Sequence, residues 1–314
     1  MSRNIKIYSG SSGLNTKLDP ARIKFDSRTG VSDLTACMNC DIDDSGRISR
    51  RGGYATTART ESWENLFGCG NYGLGTKGNA LCVIESDMSY TALRNVTTGA
   101  KMSWVRDTDG TQDIIYYCNN YEKGRVINKV SYSWPLIVPV GVVTIKEFFE
   151  APIGHILSIR NGRMFIAQNN ILWYSEPNTY YAYRLGANFF GFSSRLRMIQ
   201  AVSSTQEGKG GLWISDSESI YWFGGNIMPT AREMPLQVKV ADYPAIENTA
   251  VKLPGSRVGE GLQGEVVVFT TPKGIIIGDS NGNLLNITER KVDLPNGLTG
   301  AGLYKDGKYI VTIN

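Results

Sequence analysis

At 314 residues the chain is long enough to bury a self-sufficient core, which excludes a small module stapled by metal or disulfides. With 41% hydrophobic, 20% charged and 10% aromatic residues it is neither disordered nor collagen-like. The net charge of +4 lies entirely in residues 1–60, which hold ten Lys/Arg against six Asp, so the remainder lacks the global basic field of a dedicated nucleic-acid binder.

The first 18 residues contain no apolar run suited to a secretory leader. The longest apolar stretch, Pro135–Ile145, is about half of what a bilayer requires and holds two prolines, so no membrane span is expected. Residues 1–60 are mostly polar and punctuated by glycine, which reads as an extended arm. Within it Met38–Ile42 and Arg47–Arg50 flank the turn Asp43-Asp44-Ser45-Gly46, predicting one hairpin that ties the arm to the body. Asp41, Asp43 and Ser45 match the first half of a calcium loop, but its acidic twelfth position falls on Gly52, and a plain hairpin turn is the reading preferred.

From residue 61 onward no window shows helical periodicity, and the pattern is all-β. Six hairpins recur: Ala80–Ile84 with Tyr90–Arg94, Asp113–Tyr117 with Val126–Val130, Met164–Ala167 with Ile171–Tyr174, Leu212–Ser215 with Ile220–Phe223, Glu265–Thr270 with Gly274–Gly278, and Leu303–Lys305 with Lys308–Ile313. Their turns are separated by 34, 48, 48, 55 and 34 residues, close to the spacing of about 40–50 residues per four-stranded propeller blade. The third and fourth hairpins align with each other, which places Trp173 and Trp222 at positions suited to packing between blades. The expected architecture is therefore all-β and β-propeller-like, with about six blades over residues 61–314; paired β-sandwiches are the alternative.

Candidate chemistry is sparse. Five cysteines without a secretion signal point to reduced thiols, and Cys37-x-x-Cys40 with Cys69 and Cys82 lacks the compact second ligand pair of a zinc site. His155, the only histidine, sits among apolar residues and reads as structural. No metal, cofactor or catalytic residue is assigned, and an enzyme is not expected. The candidate interface residues are the cluster Arg47, Arg50 and Arg51, able to meet phosphate or an acidic partner, and the apolar Leu136, Ile137, Val138, Val140, Val142 and Val143. That apolar segment is either a buried strand or a contact between subunits.

Three stretches resemble the tail hub, nozzle and DNA-stabilisation proteins of tailed-bacteriophage virions. They are Gly13-Leu14-Asn15 with Leu34–Tyr54; Gly154–Leu157 with Asn161–Ala167 and Leu172–Pro177; and Gly274–Gly278 with Gly282–Thr288. The resemblance implies a propeller-like virion structural protein of the tail or neck, made in the bacterial host cytoplasm. It further implies a cyclic, six-fold homo-oligomer that meets portal, adaptor or other tail proteins, holds the channel for genome retention and exit, and touches DNA only incidentally. It implies no catalytic residues. A tail-borne propeller that binds or hydrolyses glycans is the alternative, although the Asp-box repeats of sialidase-like propellers are not present.

Overall fold

The computed structural model describes residues 10–25, 31–38, 40–43, 45–52, 62–138, 147–206, 209–225, 236–259, 261–289, 291–292, 294 and 299–314. The arm supplies β1 (Gly10–Leu14), parallel to β2 (Val31–Leu34), and the hairpin β3 (Cys40–Ile42) with β4 (Ile48–Arg50). Asp43 closes that hairpin by accepting hydrogen bonds from the amides of Ser45 (3.0 Å) and Arg47 (2.9 Å), so its carboxylate caps a turn.

Five four-stranded antiparallel meanders follow. Blade one is β5 (Glu64–Gly68), β6 (Gly73–Lys77), β7 (Ala80–Ile84) and β8 (Tyr90–Asn95), and blade two is β9 (Ser103–Thr108), β10 (Asp113–Cys118), β11 (Lys123–Ile127) and β12 (Val130–Tyr132). The short pair β13 (Phe148–Phe149) and β17 (Tyr183–Arg184) flanks blade three, made of β14 (Ile156–Arg160), β15 (Arg163–Gln168), β16 (Ile171–Tyr174) and β18 (Phe189–Gly191). Blade four is β19 (Met198–Ser203), β20 (Gly210–Ser215), β21 (Ile220–Gly224) and β22 (Leu236–Ala241). Blade five is β23 (Val251–Pro254), β24 (Glu265–Thr271), β25 (Gly274–Gly278) and β26 (Leu284–Asn286), and a sixth unit consists of the hairpin β27 (Gly300–Lys305) and β28 (Lys308–Ile313). Successive separate meanders make this an all-β, propeller-like fold and not a pair of sandwiches.

The uneven turn spacing in the sequence has a structural cause. Ala80–Ile84 with Tyr90–Arg94 is the third and fourth strand of its blade, the middle four hairpins fall on second and third strands, and the last is a first and second strand. The predicted strand Val126–Val130 is also corrected: Asn128 and Lys129 turn the chain at φ 48° and 65°, so β11 ends at Ile127 and Val130 begins β12.

Blade strands are near-continuous apolar runs because both of their faces are covered. In β10, Ile115 and Tyr117 pack toward blade one, while Ile114, Tyr116 and Cys118 pack toward blade three. In β15, Met164 and Ile166 face back to blade two, and Phe165 and Ala167 face forward to blade four. β20 sends Leu212 and Ile214 back and Trp213 forward, and β24 sends Val267 and Phe269 back and Val266 and Val268 forward. Each Val, Leu, Ile, Phe or Met so buried stabilises the fold by about 1.5–3 kcal/mol relative to exposure.

Polar contacts then lock neighbouring first strands together. Asn65 Oδ1 accepts the Met102 amide (3.0 Å), Ser103 Oγ accepts the Leu157 amide (2.9 Å), and Ser158 Oγ accepts the Ala201 amide (3.1 Å). Between blades five and six the backbone does this itself, with the Gly300 and Gly302 amides donating to Glu247 O and Asn248 O. Gly302 admits this approach because a Cβ there would collide with Thr249 O, while a Cβ on Gly300 would collide with Thr312 O inside the hairpin itself.

Candidate functional site

At one end of the ring, the segments leading into β9, β14, β19 and β23 converge with the β10–β11 turn around a cavity of about 240 Å³. Lys101, Asn120, Tyr121, His155, Arg195, Arg197, Glu247 and Asn248 line it. A second cavity of about 300 Å³ shares His155, Ile156, Arg197 and Asn248 with the first and continues between the first strands. Its lining includes Leu66, Met102, Ser103, Trp104 and Gln200, so polar and apolar groups both face it.

His155 is the hinge of this arrangement. Its amide donates to Ala167 O (2.8 Å), and its ring Nε2 lies 2.8 Å from Leu196 O, tying the entrance of blade three to that of blade four. Nδ1 is buried and has no protein partner among the described residues. Burial pushes the imidazole below the ordinary histidine range, with the Arg195 charge acting in the same direction, so the neutral ring is the native form. The structural role read from the sequence fits these bonds, while the position of His155 in the wall of both cavities was not legible there.

The mouth is cationic. Arg195 Nε is 3.4 Å from Glu247 Oε1, and Arg197 donates through Nε to Ser217 Oγ at 3.3 Å. Lys101 has no ion pair among the described residues. Two carboxylates lie just outside the lining and are engaged in their own turns. Glu122 accepts from Thr97 and Asn119, and Asp216 accepts from Ser193, Tyr221 and two backbone amides.

The candidate interface residues occupy other parts of the molecule. Arg47, Arg50 and Arg51 are exposed on and around β4; Arg51 lies 3.3 Å from Asp41, whose other oxygen is 2.8 Å from Lys308 Nζ on β28. Arg51 thus stands beside the sixth unit. That hairpin packs the half-buried Tyr304 and Tyr309 against blade five, Tyr309 donating to Thr249 O (2.6 Å), and leaves Leu303 and Ile310, which face each other across the pair, 56% and 40% exposed.

Leu136, Ile137 and Val138 follow β12 without forming a strand, which corrects the buried-strand option for the described part of that segment. Ile137 is 48% exposed, and the neighbouring Trp134 is the buried anchor, its Nε1 donating to Tyr180 O at 2.9 Å. Val140, Val142 and Val143 lie outside the described residues.

The cysteines also need correction. Cys37 and Cys40 are joined in a disulfide, against the expectation of five reduced thiols, because the bend at 35–38 brings β3 back within bridging distance, with Cα atoms 6.2 Å apart. Cys69, Cys82 and Cys118 are free and buried. No helix among the described residues is long and apolar enough to cross a membrane.

No family model and no curated protein matches the chain. Among solved structures it is similar to virginiamycin B lyase from Staphylococcus aureus at 11% identity and a TM-score of 0.45, covering 82% of this chain and 86% of that one. It is similar to a gluconolactonase from Xanthomonas campestris at 12% identity and a TM-score of 0.41, covering 77% and 79%. A Trypanosoma rangeli sialidase matches at 13% identity and a TM-score of 0.37, with 87% of this chain spanning 54% of that one. At such identities and scores their activities do not transfer to this chain.

Proposed function

We propose that this chain is a structural protein of a tailed-bacteriophage virion, a subunit of the tail or head-to-tail connection that forms a closed ring around the channel of genome retention and exit. The observation that carries this reading is the half-covered sixth unit. Leu303 and Ile310 form an open apolar patch, and the arm that carries Arg47, Arg50 and Arg51 meets the same hairpin through the Asp41–Lys308 pair. An apolar patch with arginine on an adjoining element is the make-up of a subunit interface. Repeated around a cyclic assembly, one such patch suffices to close a collar of identical copies, here taken as six. The phage-like motif of residues 34–54 contains these arginines, which supports the same assignment. Portal, adaptor or other tail proteins are the proposed neighbours above and below the ring, with DNA contact incidental.

Native mass spectrometry with negative-stain imaging tests this, on the protein alone and mixed with the portal and adaptor of its virion. Closed rings, formed alone or on addition of those partners, are expected. Replacing Leu303 and Ile310 together by lysine should abolish them while leaving the far-ultraviolet circular dichroism unchanged. A chain that stays monomeric in every mixture overturns the reading.

A further inference from the structure

The cavity at the mouth joins surplus positive charge to hydrogen-bonding groups that have nothing to bond. Lys101, Arg195 and Arg197 line it against the single carboxylate of Glu247, which leaves two positive charges uncompensated. Among the described residues both arginines bond through Nε alone, Arg195 to Glu247 and Arg197 to Ser217, so their terminal nitrogens keep the planar fork that fits a carboxylate. The side-chain amides of Asn120 and Asn248 and the hydroxyl of the exposed Tyr121 have no partner among the described residues. Glu247 holds Arg195 through Oε1, which leaves Oε2 as an acceptor. Cations surrounded by amides, a phenol and a carboxylate oxygen select an anion whose body itself carries hydroxyls. An apolar body would leave those groups unpaired, and a neutral sugar would leave the cations unpaired.

We propose that the mouth binds an acidic sugar, a hexuronate unit whose carboxylate is met by Arg197, Arg195 and Lys101 and whose hydroxyls bond Asn120, Asn248 and Glu247 Oε2, with the sugar ring against Tyr121. The cavity of about 240 Å³ lies below the range of about 300–1,000 Å³ for drug-sized ligands, so it takes one monosaccharide unit at a time. None of these residues belongs to the Leu303 and Ile310 patch, so the site stands or falls apart from ring assembly.

The sole histidine is a built-in reporter, since His155 lines the cavity and gives one imidazole resonance in the full-length, untagged protein. Galacturonate or glucuronate should move that resonance saturably, with a Kd of about 5 mM or tighter for the better of the two. Galactose, which lacks the charge, and acetate, which lacks the hydroxyls, should each bind at least about tenfold more weakly. Arg197→Gln should weaken the uronate about tenfold, and the exposed Lys101→Gln serves in its place if the first variant does not fold. Asn248 has φ 62°, so Asn248→Gly keeps the backbone and removes only the amide, which should weaken the uronate several-fold. Digalacturonate distinguishes the sources: binding tighter than galacturonate supports a site for one unit of an acidic polysaccharide, and weaker binding supports a site for the free sugar acid. The proposal is overturned by a resonance that neither uronate moves, by galactose or acetate matching the uronate, by folded Arg197 or Lys101 variants that bind like the parent, or by an Asn248 variant that does so.

Discussion

Lys291 Nζ lies 3.2 Å from Asp33 Oδ1, joining the arm to the segment between blades five and six across 258 residues of chain. The same ammonium donates to Ser12 O at 2.6 Å, and the Thr16 amide donates to Lys291 O at 2.7 Å. Burial works against the Asp33 charge, but hydrogen bonds from Ser12, Asn15 and Lys291 outweigh it and hold the carboxyl below its ordinary range. The arm is thus docked by a partly buried cation that serves two strands at once.

Asp33→Ala should weaken arm docking by about 1.5–3 kcal/mol, the range for a hydrogen bond to a charged group. Amide hydrogen exchange reads this as faster exchange at Asn15 and Thr16, with blades three and four unchanged. A carboxyl whose native pKa is depressed contributes docking energy that is fully present above its unfolded value and lost as pH falls through the native one. Docking should therefore be flat from pH 5 to 8 and weaken below about pH 4.

Blades four and five meet through glycine and indole. Trp213 is fully buried, donates from Nε1 to Asp279 O at 2.9 Å, and lies 4.8 Å from the Trp222 ring. A Cβ on Gly278 would fall 2.7 Å from the Trp213 ring, so Gly278→Ala should cost about 1–3 kcal/mol and lower the melting temperature measured by calorimetry.

The two aligned tryptophans should differ in their response. Trp222 is buried in the interface of blades four and five, whereas Trp173 is half-buried between Phe149 and Phe189, at 5.2 and 5.4 Å. Trp222→Ala should cost about 3–5 kcal/mol and Trp173→Ala clearly less, as read from denaturant midpoints.

His155 makes stability depend on pH in one direction. Its native pKa is depressed, so the unfolded chain binds the proton first and stability is gained as pH rises. The contribution is complete above about pH 6.5 and is lost on acidification toward the native value. The imidazole resonance should titrate below 6.5, and His155→Gln should flatten the melting temperature between pH 7.5 and 5.5.

Alkylation counts the thiols. Under denaturing, non-reducing conditions three cysteines, Cys69, Cys82 and Cys118, should react, and all five after reduction. A bridge that closes so short a loop contributes little chain entropy, so reduction alone should leave the melting temperature nearly unchanged.

Part of this architecture is legible in the sequence alone. Runs such as Asp113–Cys118 and Glu265–Thr271 declare strands because each residue's preference for a pleated, covered surface is local, and turns such as Asn161-Gly162 and Asp306-Gly307 carry their left-handed backbone in their own chemistry. The all-β class and its repeated hairpins followed from that. Which hairpin fills which place in a blade did not follow, because neighbouring strands of a meander have the same apolar signature whether they stand first or third. The disulfide stayed hidden because bridging depends on the bend between Cys37 and Cys40. The cationic mouth stayed hidden because Lys101, His155, Arg197 and Glu247 come from different blades and have no shared spacing. Local preference therefore determined the elements; burial between blades, a relation among residues far apart in the chain, decided where the charges meet and which apolar face is left open.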